Sequence, residues 1–176
     1  MAELGSDLAL TIVRVAVGLI VAGHGAQKLF GWSGGQGLER WTGAVAAMGF
    51  ARPRLFALLA AFAEFFGGLM LAVGLLVPFA AAALAVDMLV AIVKVHWSKG
   101  FWVTKGGSEY ALSLLIAFVV FGLHGAPRYS LDAFFGIAPY SAVMFLVTFA
   151  LGTAITWVAM TAGAERAARP ERTRSL

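Results

Sequence analysis

The sequence predicts an all-α membrane protein, a transmembrane four-helix bundle core with an additional fifth C-terminal transmembrane helix. Three observations predict it. Hydrophobic residues make up 61% of the 176 positions and charged residues only 12%, against about 45–50% and 25% in soluble domains, and the mean hydropathy is +0.88. Apolar runs recur at close to the length that a helix rising about 1.5 Å per residue needs to cross about 30 Å of hydrocarbon. The connections between the runs are short, and most charges flank or interrupt the runs.

Two function classes drop out at this level. The chain has no cysteine, which excludes disulfides, a dithiol redox centre, thiol nucleophiles and cysteine-ligated iron–sulfur clusters. Any redox role therefore needs a bound or diffusible cofactor. The net charge of +4 is explained by topology rather than by a nucleic-acid partner, because the basic residues border apolar runs.

Leu8 to Phe30 is the first span, containing Arg14, His24 and Lys28. It is preceded by Glu3 and Asp7 rather than a basic region, and no small-residue cleavage site follows, so it reads as a retained helix rather than a signal peptide. The connection Gly31 to Arg54 contains GLERWTGAVAAMGF, where Leu38, Trp41, Val45 and Met48 recur at helical spacing and Glu39 and Arg40 lie off that stripe. An interfacial helix is expected there. Leu55 to Val77 is the second span, interrupted by Glu64, and Pro78 marks a tight turn into the third, Phe79 to about Val95, with Asp87 and Lys94.

The connection VHWSKGFWVTKGGSEY gathers His96, Trp97, Phe101, Trp102 and Tyr110 at a membrane boundary, a position that suits aromatic anchoring. The fourth span, Tyr110 to Leu123, makes only about 21 Å of helix, so Gly107 to Glu109 is drawn towards the boundary. Ile137 to Met160 is uncharged and is expected to be a peripheral or packing helix. The organisation is thus a four-helix domain over 1–136, an additional apolar helix over 137–162, and a basic cytoplasmic tail over 163–176 with Arg166, Arg169, Arg172 and Arg174. Five spans with the N-terminus outside and the C-terminus inside place most of these basic residues on the cytoplasmic side. Gly18 and Ala22, with Gly67, Gly68 and Gly74, are the small residues expected to permit close helix contact.

The ionisable groups in or beside the first four spans are Arg14, Lys28 and Lys94 against Glu64, Asp87 and Glu109. Exposing one of them at the lipid midplane costs about 2.5–3.5 kcal/mol on insertion scales, so they should point inward, either pairing or lining a wet cavity. Helical phase puts Arg14 and Lys28 about 40° apart on one helix, pairs His24 with Lys28, and sets Asp87 and Lys94 on a common face. Arg14 is expected to snorkel outward or pair with Asp87. A boundary pocket containing His24, Lys28, His96 and Glu109 follows as the expectation. Such groups suit quinone chemistry, in which a cation or histidine hydrogen-bonds a quinone oxygen and a carboxylate exchanges its proton. The candidate catalytic residues are Glu64, His96 and Glu109, and the candidate cofactor-binding residues are Arg14, His24 and Lys28, with no metal site expected.

The segments RVAVGLIVAGHGAQKLFGW, AEFFGGLML, VKVHWSKGFWVTKGGSEYAL and RYSLDAFFG resemble the DoxX/DoxD family of small integral membrane proteins over roughly Leu8 to Gly136. The resemblance implies a four-helix bundle bearing Arg14, His24, Lys28, Glu64, His96 and Glu109 as its polar set. Family names are attached to the small subunit of a thiosulfate:quinone oxidoreductase and to quinol-oxidase-associated proteins. A redox-associated protein of the bacterial inner membrane is therefore expected, binding a quinone-like ligand or supporting an oxidoreductase partner subunit. The alternatives are a non-catalytic assembly subunit and a small-solute or proton-linked transporter. The added segment Ile137 to Met160 departs from the four-helix pattern, and the oligomeric state is left open.

Overall fold

The structure, a computed structural model, describes residues 2–137 and 142–168, with side chains over 4–137 and 142–163. The helices are α1 (Ala2–Phe30), α2 (Gly37–Ala47), α3 (Pro53–Val73), α4 (Val77–Lys99), α5 (Glu109–His124), the one-turn α6 (Leu131–Phe134) and α7 (Ala142–Ala168). Within α1, α3, α4 and α7, the stretches Leu4–Phe30, Pro53–Val73, Val77–Lys99 and Ala142–Gly163 are long and apolar enough to cross a membrane, while α5 is apolar but shorter. The all-α membrane bundle with a fifth apolar helix is thus the fold. The last helix is described from Ala142 on, and Ile137, expected to open it, instead donates its N–H to the Asp132 carbonyl at 2.9 Å and belongs to the preceding segment. The tail arginines Arg166, Arg169, Arg172 and Arg174 lie outside the described side chains.

Small residues set the closest crossing. Gly18 stands against the backbone of Gly68 and Ala72, Gly68 in turn against Ala22, and Gly25 against Phe65. A side chain at any of these positions would meet backbone, so the glycines let α1 and α3 approach nearer than larger residues allow. α3 then ends in a Schellman turn: Gly74, at φ 73°, donates to Leu71 O at 3.1 Å, and Leu75 donates to Met70 O at 2.8 Å. Leu76, also left-handed at φ 49°, leads into Val77 and Pro78 at the first turn of α4, where proline's missing N–H costs nothing.

α4 is the centre of the bundle. Half of its most apolar 18-residue window is buried, against 6% for α7. It packs on α3, α5 and α7, through a core that includes Leu71, Leu84, Ala85, Phe118, Phe121 and Phe145. Phe145 of α7 occupies the space left by Gly122 of α5, and Gly152 of α7 faces Val86 of α4. Among its described side chains α7 also exposes large apolar residues, including Val147, Leu151 and Val158, as suits a lipid-facing helix.

Candidate functional site

The face of α1 that packs on α3 carries its two cations at its ends. Arg14, Gly18, Ala22, Gly25 and Lys28 recur at three- and four-residue steps along one stripe, so close packing at the glycines delivers Arg14 and Lys28 to sites about 21 Å apart along the axis.

At the Lys28 end, the ammonium Nζ stands 2.7 Å from Glu64 Oε2 and 3.9 Å from Asp87 Oδ2. It also lies 4.1 Å above the centre of the Trp41 ring, a cation–π contact. Glu64 is 3% exposed and sits in a π-helical turn over Ala63–Gly67. The one-residue expansion of such a turn re-aims side chains and recurs at functional sites. Trp41 is fixed because its Nε1–H donates to the Ala57 carbonyl at 3.1 Å, which also ties α2 to α3. The pairing differs from the expected set: Asp87 faces Lys28 rather than Lys94 or Arg14, and Lys94 is exposed.

These charges form the polar end of a cavity of about 360 Å³ between α2, α3, α4 and α7. Its other walls are mostly apolar, with Met48 just past α2, Phe56 and Leu59 of α3, Val90 of α4 and Ile155 of α7 among them. The volume lies in the range of small-ligand sites, which are mostly apolar with a few convergent polar groups. The helix expected at the interface thus turns its apolar stripe onto the cavity, with Glu39 and Arg40 exposed on the other side. The helix expected to be peripheral supplies a wall through Thr148, Gly152, Ile155 and Thr156.

His24, His96 and Glu109 do not join Lys28 at this cavity. His24 leaves the stripe and its Nε2 makes a 3.1 Å hydrogen bond with the Tyr110 hydroxyl, linking α1 to α5; it lines a separate shallow pocket with Gln27, Trp32 and Ser33. His96 donates from Nδ1 to the Gly106 carbonyl at 2.6 Å, and Glu109 Oε2 accepts from the Val103 N–H at 2.9 Å. Both brace the folded connection between α4 and α5. Its tip exposes Trp97, Phe101 and Trp102, as boundary anchors do. Among the described residues, no group of three or more His, Cys, Asp or Glu side chains is placed to hold a metal ion.

Arg14 occupies the opposite end and is 1% exposed, so it neither snorkels nor reaches Asp87. Its Nη2 donates to the Tyr129 carbonyl at 2.8 Å, and its guanidinium lies where a side chain at Gly74 would stand. The same RYSLDAFFG segment supplies Asp132, 2% exposed, whose carboxylate accepts from Leu76 N–H at 2.9 Å and Val77 N–H at 3.2 Å. Asp132 therefore caps α4 from 55 residues away. Spacing within the sequence holds no sign of that role; the one local signal is Ser130, which caps α6 by accepting from Ala133 N–H at 3.1 Å and marks the segment as structured.

A DoxX family model matches residues 9–97, about half of the chain. The match spans α1 to the last turns of α4 and includes Arg14, His24, Lys28, Glu64, Asp87 and His96; Glu109 and α7 lie beyond it. Comparison with curated proteins and with solved structures gives no match.

Proposed function

The chain belongs to the DoxX family of membrane proteins, and from that premise we propose that it is a redox-associated protein of the bacterial inner membrane whose intramembrane cavity binds a quinone-like ligand. The supporting observation is the composition of the polar end. Lys28 Nζ is a donor for a ring carbonyl, while Glu64 and Asp87 are acceptors for ring hydroxyls. One site thus offers partners to both the oxidised and the reduced form of such a ring. Trp41 and the apolar walls suit the ring faces and its substituents. A bound quinone would supply the two-electron chemistry that no side chain of this cysteine-free chain provides.

The residues' roles follow from their positions. Lys28 orients the ring and balances carboxylate charge; Glu64 and Asp87, sharing one ammonium between them, hold or release protons at the ring oxygens. His24, His96 and Glu109 act on the position of α5 and of the connection before it. Basic residues favour five spans with the N-terminus outside, α5 crossing as the short fourth span. The test is saturable binding of a decyl-substituted benzoquinone to the purified chain in lipid nanodiscs. Glu64→Gln and Lys28→Met are each expected to weaken it at least tenfold. Binding that neither substitution alters rejects this site, and a tightly co-purifying partner with no quinone binding favours an assembly role instead.

A further inference from the structure

The walls of the cavity differ in exposure, and the difference locates an opening. Val45 and Glu64 are buried, whereas Leu59 of α3 and Ile155 of α7 line the same cavity and are 53% and 63% exposed. On α4 the same cavity is lined by Ala83, which is exposed, and by Val86 and Asp87, which are half-buried. The cavity is therefore a groove over one flank of α4, walled by α3 and α7, roofed by α2 and open sideways. Leu59 is six residues from the start of the α3 span and Ile155 eight from the end of the α7 span, which sets the opening about 9–12 Å inside the helix ends, at hydrocarbon depth rather than among headgroups.

We infer that this opening is a lateral portal through which a membrane-dissolved ligand enters head first, leaving its hydrocarbon chain between α3 and α7. The inference rests on the proposed quinone site and specifies its substrate class: rings bearing an aliphatic chain rather than water-soluble rings. The polar end explains the polarity of entry. The charged groups of the cavity are Lys28, Glu64 and Asp87, and the rest of its lining, which includes Phe56, Leu59, Ala83 and Ile155, is mostly apolar. The alanines on facing surfaces, Ala60 and Ala63 of α3 and Ala83 of α4, leave the room that larger side chains would fill. The head-binding groups lie inside the family-matched region together with Phe56, Leu59 and Ala83, whereas the wall facing them, with Ile155, comes from α7 beyond it.

The experiment compares two probes on the full chain in nanodiscs, a decyl-substituted benzoquinone and the same ring without the chain, with binding read from tryptophan quenching. Affinities are expressed per lipid, so that partitioning into the bilayer cancels. The chain-bearing probe is expected to bind at least tenfold more tightly. Leu59→Phe with Ile155→Phe narrows the portal and should bring its affinity down to that of the bare ring, while Leu146→Phe, on the exposed side of α7 opposite Ile155, keeps the preference. The double variant should still bind the bare ring as the unaltered protein does, so a loss caused by misfolding, which would remove both probes, is recognised. Equal affinity for the two probes in the unaltered protein overturns the portal and leaves the ring site standing. Saturable binding of neither probe overturns both.

Discussion

Lys28 is shared by Glu64, Asp87 and the face of Trp41, and its removal strands two carboxylates in a low-dielectric interior. Breaking a buried pair by deleting one partner costs about 3–5 kcal/mol. Lys28→Met is therefore expected to lower unfolding stability in detergent by about 3 kcal/mol, measured by thermal or denaturant unfolding. Adding Glu64→Gln removes one of the stranded charges and should recover part of that loss, a coupling of about 1–3 kcal/mol. Gly74 is the second residue on which much depends. At φ 73°, with the Arg14 guanidinium and Ser130 where its Cβ would stand, Gly74→Ala combines backbone strain with a clash and should destabilise by more than about 1 kcal/mol. That Arg14, Lys28 and Glu64 turn inward was legible because of the lipid penalty on an exposed charge, although Lys94, expected inward with them, is exposed. Their partners were not: Lys28 meets Asp87 across three helices, and one helix's periodicity carries no information about the rotation of its neighbours.

Helices carry these residues to their places through two devices, the small-residue crossing of α1 on α3 and the remote cap on α4. Gly18→Leu would force α1 away from the backbone of Gly68 and Ala72 and carry Lys28 off Glu64. Probe binding should fall at least tenfold, whereas Gly23→Leu, with nothing within 4 Å, should leave it within twofold. Asp132→Ala deletes both acceptors for the first N–H groups of α4 and is expected to cost about 1–2 kcal/mol by the same unfolding measurement. Asp132→Asn, retaining one acceptor oxygen, should cost about half as much. Spacing announced the first device, since Gly18 and Ala22 lie four apart. The second was invisible because it joins a loop to a helix 55 positions earlier.

The whole molecule brings α2, which is too short to be a span, and α7, which is mostly exposed, onto one flank of the central α4. The absence of cysteine makes its topology directly measurable. With five spans, single cysteines introduced by Ala2→Cys and Ser175→Cys should react with a membrane-impermeant maleimide from opposite sides, Ala2→Cys from outside intact cells; labelling from one side would leave α5 or α7 not crossing. Hydrophobic run lengths determined by themselves that this chain is an all-helical membrane protein, because lipid cannot satisfy backbone polar groups and so admits few alternatives to the helix. The sequence likewise determined that Arg14, Lys28 and Glu64 turn inward, though not that Lys94 would stay exposed, and that α1 meets a neighbour along a stripe of small residues. Only the tertiary structure decided that Lys28, Glu64 and Asp87 share one site while His24, His96 and Glu109 brace another region, and that the apolar stretch of the last helix walls a cavity. A cavity is the space left over after several helices have fixed one another's rotation and distance, and no single stretch of sequence contains that information.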